Sequence, residues 1–242
     1  GFVLTETGLK ILEHAEAMEF RANSITQAAG IEGTEAGGPV RIATMEGIGS
    51  FYLGPRIKRL HDLHPSVLVE LVTASRWIYL SKREADIFIS FPRPVERRLL
   101  IRKIGEFRVG LYAASAYFDH RGEPRRKADL DRHDFVDYID DQIQIEAVRW
   151  LADVVTARNV VFRSTSLIAQ YTSASAGLGI AMLPTFVAAH NQDLKPVLPE
   201  LATTRDIWLS VHEDLVDISR INAVTRFLAD QVRQDKDLLM GG

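Results

Sequence analysis

Ala176-Gly177-Leu178-Gly179-Ile180-Ala181-Met182-Leu183-Pro184 packs three changes of backbone state into one short stretch. Upstream, Ser166 to Ala176 reads as a helix with Ser164 or Thr165 at its start, and Gly177-Leu178-Gly179 closes it, because glycine takes the left-handed turn that ends a helix. Ile180 to Leu183 is then an unbroken apolar run, the mark of a strand buried on both faces. Pro184 suits the first turn of a new helix, here reaching to His190. Helix, buried strand and helix in succession predict an α/β fold with a parallel sheet.

The same alternation extends outward in both directions. Val40 to Thr44 reads as a strand, and Phe51 to His64 as a helix with Leu53, Ile57, Leu60 and Leu63 inward. After Pro65 come a strand at Val67 to Val72, a helix at Trp77 to Arg83 and a strand at Ile87 to Phe91. A second set follows, with strands at Phe107 to Ala113, Phe135 to Ile139 and Val160 to Arg163. Between these lie a helical turn at Ser115 to Asp119 and a helix at Ile143 to Thr156 centred on Trp150. Beyond Pro184, Arg205 to Val211 is a strand and Ser219 to Gln234 an amphipathic helix, with a frayed tail to Gly242.

The N-terminal segment differs in kind. From about Thr5, a natural N-cap, to Ala29, the positions Leu12, Ala15, Met18, Ala22 and Ile25 recur at helical steps and form one narrow stripe. So thin a stripe needs a partner surface, and a dimer seam fits it, with packing against its own domain as the alternative. Gly30 to Pro39 holds four glycines and a proline and reads as a flexible link.

Bulk properties exclude several classes. Lys+Arg of 29 against Asp+Glu of 32 give a net charge of -3, which is no basic stripe for phosphates. The chain lacks cysteine, so disulfides, Cys-ligated zinc and thiol nucleophiles are excluded. With neither a membrane-length apolar run nor a leader pattern at its start, the expectation is a cytoplasmic protein with no membrane partner.

Taken in order, these segments resemble the LysR-type transcription regulators. Leu4-Thr5, Gly8, Leu12 and Ala15 resemble the junction where that family's winged helix-turn-helix enters its linker helix. Gly38-Pro39-Val40-Arg41-Ile42-Ala43, the helix with Leu53 and Pro55, Pro65 before Val69-Glu70-Leu71, and Glu84-Ala85-Asp86-Ile87 resemble its effector domain. Ala176 to Pro184 is similar to the second-subdomain signature, and Trp208-Leu209-Ser210-Val211-His212 to the return strand. The ordered set, rather than any one motif, carries the likeness.

The resemblance implies two Rossmann-like subdomains as in type 2 periplasmic binding proteins, joined by two crossing strands and preceded by a long linker helix. The expected boundaries are 1–38 for linker helix and flexible link, 39–106 plus 204–238 for subdomain I, and 107–203 for subdomain II. Crossings fall near Ile104 to Arg108 and Thr203 to Ile207. The implied partners are a small-molecule effector in the cleft, further copies of the chain as homodimer or homotetramer, and promoter DNA through an N-terminal domain largely missing here. A stand-alone solute-binding protein of this fold is the alternative, and an enzyme a more distant one.

Open parallel sheets bind ligands beyond the carboxyl ends of their strands. That rule selects Thr44, Met45, Glu46, Gly47 and Ser50, then Ser75 and Arg76, then Phe91 and Arg93, then Tyr138 and Asp140, and lastly Ser164, Thr165 and Ser166. The three hydroxyl residues also suit helix capping. Arg93, held between two prolines, offers a fixed guanidinium for a carboxylate, and Glu46 suits an amine, so a small polar effector is expected. No cofactor or metal is expected: His61 and His64 share a helix end without a third ligand, Tyr52 breaks any dinucleotide loop after Gly47 and Gly49, and no catalytic motif appears.

Overall fold

Gly38–Thr44 (β1) pairs in parallel with Val67–Thr73 (β2) on one side and Ile87–Ser90 (β3) on the other. The computed structural model describes residues 5, 7, 8, 11, 18, 37–73, 85–96, 98–143 and 145–242. Gly1–Gly37 and Gly38–Gly242 are separate compact units. In the first, residues 7, 8, 11 and 18 are helical, and the Gly8 N–H donates to Thr5 Oγ1 at 3.1 Å, the bond an N-cap threonine makes. Met18 is exposed there. The other seam positions, Leu12, Ala15, Ala22 and Ile25, lie outside the described residues, as do Ser75, Arg76 and the helix expected at Trp77 to Arg83.

The larger unit is one sheet of strand order β2-β1-β3-β8-β4-β7-β5-β6. Its spine is the antiparallel pair Leu99–Ala114 (β4) and Leu194–His212 (β8), in register from Leu99 opposite His212 to Ala114 opposite Leu194. β3 lies antiparallel to β8, and beyond β4 lie Ile180–Pro184 (β7), Asp134–Asp137 (β5) and Asn159–Arg163 (β6), with β5 parallel to both neighbours. Two parallel half-sheets are thus joined through two long crossing strands, the periplasmic-binding-protein-like arrangement.

Both spine strands are far longer than expected. The stretches before Phe107 and before Arg205 contain Gly105, Pro196 and Pro199 with charged neighbours, which read as loop. Their backbone pairs nonetheless, with register shifts between Lys103 and Gly105 and between Gly110 and Leu111.

The first helix also needs correction. A π-helical turn at Ile48–Leu53 and a 3-10 turn at Gly54–Arg56 precede α1, Ile57–Leu63. Leu53 and Leu60 are buried, but Leu63 is 58% exposed. The wider π winding shifts the helical phase, so Leu63 comes round to solvent. Asp235 fastens this rod to the last long helix by accepting from Arg56 Nε at 2.7 Å and Tyr52 Oη at 3.1 Å.

The expected turn after β4 is α2, Ser115–Arg121. The single helix expected over Ile143 to Thr156 is instead a 3-10 turn at Glu146–Val148 and α3, Trp150–Val154. Arg149 has φ -73° and ψ 49°, which is not helical. Ile143, Ile145, Val148 and Trp150 do not share a helical stripe; they face a cavity between the half-sheets.

Around the opening stretch the reading holds closely. α4, Leu167–Ser175, ends before Gly177 at φ +82°. Gly179 then lies so near β5 that a Cβ on it would stand 2.7 Å from the Asp134 carbonyl oxygen. β7 is buried at every position, and Pro184 leads into α5, Thr185–Ala188.

The C-terminal helix α6, Ser219–Gln234, matches its expected limits and buries Ile221, Val224, Phe227, Leu228 and Val232. The tail is not frayed but forms α7, Lys236–Met240, with Leu239 1% exposed. Thr185 Oγ1 donates to the Leu239 carbonyl at 2.7 Å, which anchors the chain end on α5. Among the described residues no helix is long and apolar enough to cross a membrane.

Candidate functional site

The carboxyl ends of β1, β3, β5, β6 and β7 converge on one cavity of about 60 Å³. Met45 to Ile48 follow β1 and Phe91 follows β3 from one half-sheet. Tyr138 follows β5, Thr165 and Leu167 follow β6, and Pro184 ends β7 with Phe186 just beyond it, from the other. Phe107 of β4 and the broken segment from Gln142 through Ile145 and Val148 to Trp150 complete the wall. The site therefore joins both half-sheets, where the strand-end rule puts it.

Glu46 connects the two sides. Its Oε2 accepts from the backbone N–H of Leu167 at 2.8 Å and of Ile168 at 3.4 Å, and its Oε1 accepts from Ser166 Oγ at 3.1 Å. Ser166 Oγ also accepts from the Ala169 N–H at 3.1 Å, so a carboxylate and a hydroxyl cap α4 together. The free N–H groups and positive dipole end of a helix favour an anion, and here the chain supplies its own.

The cavity wall is strongly aromatic. Phe91 and Phe107 stand with ring centroids 6.1 Å apart, Phe107 and Phe186 5.5 Å apart, and Phe91 and Trp150 5.6 Å apart. Tyr138 meets Trp150 at 6.4 Å and 88°, edge to face. Trp150 is 3% exposed, and its indole N–H has no hydrogen-bond partner among the described residues. Burial, reinforced by the Glu46 and Asp137 carboxylates, pushes the Tyr138 phenol well above its ordinary value, so it stays a neutral hydroxyl.

Of the residues expected at the site, Met45, Glu46, Gly47, Phe91, Tyr138 and Thr165 border the cavity, while Ser166 stands behind Glu46. Thr44 does not: it is 1% exposed and its hydroxyl donates to the Ile89 carbonyl at 2.9 Å, tying β1 to β3. Ser164 shapes the turn, its Oγ accepting from the Ser166 N–H at 3.1 Å. Asp140 is exposed and ion-paired with Arg149 at 3.2 Å, and Ser50 is exposed on the π turn.

Arg93 is placed over the Trp208 ring at 5.3 Å and is absent from the cavity wall. Of the two groups expected to read an effector, Arg93 stands away from the cavity, while Glu46 borders it with its carboxylate bonded to the start of α4. Sequence reasoning missed Phe107, Ile145, Trp150 and Phe186, because apolar residues in these segments read as core. Ile143, Ala147, Trp150 and Leu151 recur at helical steps, so nothing in the local sequence set this segment apart from an ordinary core helix.

A family model described as "LysR substrate binding domain" matches residues 33–233. The chain belongs to this family. It is the substrate-binding domain of a LysR-type transcription regulator, with the family's α/β fold. An uncharacterized HTH-type transcriptional regulator of Haemophilus influenzae is 26% identical over 81% of this chain and 70% of that protein. The HTH-type transcriptional activator TtdR of Escherichia coli K12 is 22% identical over 97% of this chain and 77% of its own length.

Solved structures agree on the fold. The regulatory domain of CrgA, a LysR-type regulator from Neisseria meningitidis, superposes with a TM-score of 0.72 at 19% identity, covering 81% of this chain and 99% of that one. Full-length AphB, a Vibrio cholerae virulence activator of the LTTR family, gives 0.63 at 21% identity over 94% of this chain and 80% of its own.

Proposed function

We propose that this LysR domain is a cytoplasmic sensor and not a catalyst, binding a small-molecule effector in the cavity between the half-sheets. The observation that carries the reading is the convergence of five strand ends from both sides on one cavity, spanned by the hydrogen bonds of Glu46 to α4. Residues 39–106 with 204–238 act as one body and 107–203 as the other, turning about the β4–β8 crossings. The N-terminal helix pairs copies into a homodimer or homotetramer, and promoter DNA is contacted by residues outside these 242. An effector shifts the angle between the bodies only as far as it prefers one arrangement over the other.

A thermal-shift screen of small molecules tests this, run beside Thr165→Trp, which fills the cavity entrance from an exposed position. Compounds that stabilise the parent chain and lose that effect in the variant support the reading. Compounds that stabilise both equally bind elsewhere and overturn it.

A further inference from the structure

A second hollow, of about 490 Å³ against about 60 Å³ for the cleft cavity, lies between α6 and the first part of β4. Its floor follows from strand register. Leu100 stands opposite Val211 and Arg102 opposite Leu209, and cross-strand partners share a sheet face. α6 crosses that face, with Ile221 and Thr225 forming the other wall. Leu209 and Val211 are buried, whereas Leu100 is 57% exposed. β7 joins β4 only from Val109 onward, so the earlier part of β4 is a sheet edge among the described residues. The hollow is therefore an apolar-floored groove open to solvent.

Two exposed arginines line it, Arg102 from β4 and Arg226 from α6. Neither has a hydrogen bond or ion pair among the described residues, and no acid is among the lining side chains. Nearby cations differ: Arg98 is paired with Glu213 and Asp214, Lys103 with Asp206, and Arg233 with Asp230. Unpaired guanidiniums beside an apolar floor complement a molecule with an anionic head and an apolar body, which covers Leu100 while its carboxylate takes up the fork-shaped donors. A further protein strand suits the groove less well. The edge carries Arg102 and Lys103 and a register shift before Gly105, features that oppose strand addition.

We infer that this groove is a second ligand site, separate from the cleft, for a small alkyl carboxylate, its chain lying on Leu100, Val211 and Ile221 and its head held by Arg102 and Arg226. The volume lies within the ordinary range of small-molecule pockets, about 300–1,000 Å³. The site does not depend on the cleft reading.

Nuclear magnetic resonance on the ¹⁵N-labelled chain tests it, with octanoate, hexanoate, 1-octanol and octylammonium as probes. Octanoate is expected to move the Ile101, Asn222 and Arg226 amides and to leave Gly47 and Thr165 still. Hexanoate should bind about tenfold more weakly, because each buried methylene is worth up to about fourfold. The double variant Arg102→Gln with Arg226→Gln, both at exposed positions, should weaken octanoate about three- to tenfold and leave 1-octanol unchanged. Leu100→Trp, which fills the floor from an exposed position, should weaken both.

If 1-octanol or octylammonium binds the groove as tightly as octanoate, or the double variant holds octanoate unchanged, the arginines read no anion and the ligand class is wrong. If millimolar octanoate leaves the groove amides still, or moves Gly47 and Thr165 instead, the site itself is wrong. Groove amides that move on dilution of the chain alone would mark a second copy as the occupant and overturn the proposal.

Discussion

The carboxylate of Glu46 accepts a 2.8 Å hydrogen bond from the backbone N–H of Leu167, 121 residues further along the chain. The first residue opens the helical segment after β1 and the second opens α4, so a single side chain ties one half-sheet to the other across the cavity. It caps a helix from a distance, a role that Ser166 shares locally.

Removing this tie is expected to cost little stability and much order. In Glu46→Ala, α4 keeps its Ser166 cap, so the loss should be about 1 kcal/mol in urea denaturation. Amide hydrogen exchange at Leu167 and Ile168 should quicken beyond that of α4's interior. An unchanged exchange rate at both amides would mean that the tie does not hold the half-sheets together in solution.

The glycines that close α4 should differ in what replacement costs. Gly179→Ala puts a Cβ 2.7 Å from the Asp134 carbonyl, a backbone atom that cannot swing aside, so roughly 1–3 kcal/mol should be lost. Gly177→Ala keeps its space but not its φ of +82°, at about 1–2 kcal/mol. Equilibrium denaturation of the two variants, with exposed Gly122→Ala at φ +76° as a third point, separates contact from conformation.

His133 predicts a pH slope. Tyr117 Oη accepts from the Asp134 N–H at 2.8 Å and lies 3.1 Å from His133 Nδ1, a buried hydrogen bond whose direction follows the imidazole tautomer. Burial, partly opposed by Asp134 and aided by Arg121, lowers the imidazole from its ordinary value. Below about pH 6.5 the unfolded chain therefore takes up a proton that the folded chain refuses, and stability falls as pH falls toward the lowered value. Replacing the ring in His133→Gln should flatten the slope of unfolding free energy against pH in that window.

Deleting residues 1–30 should leave the sheet's thermal midpoint unchanged, since Gly38–Gly242 is a compact unit of its own. Self-association should weaken, which sedimentation velocity across a concentration series would show. Equal association with and without the segment would place the contact between copies on the larger unit.

Elements with one dominant local signal were legible in the sequence. α6 shows a clean amphipathic period, and β7 an apolar run between glycine and proline; both stand where expected. The spine strands were legible only in part, since Pro196 and Gly105 are ordinary loop residues whose pairing depends on a distant partner strand. The site was half visible: the strand-end rule found Met45, Glu46, Gly47, Phe91, Tyr138 and Thr165. It could not find Trp150 or Phe107, because a ring facing a cavity and a ring facing a core have the same local sequence. Nor could it foresee that Arg93 would lie against Trp208, a residue more than a hundred positions away.

The pairing of β3 with β8 sets a timetable for synthesis. Strands β4 to β7, and the part of β8 that pairs with the far end of β4, all lie between residues 99 and 204, so the second half-sheet can close while the chain is still emerging. β3 must wait for Trp208 to Val211 before its outer edge is covered. The half made first is therefore finished last, and for most of translation β1, β2 and β3 stand with an open edge that chaperones or neighbouring nascent chains can reach.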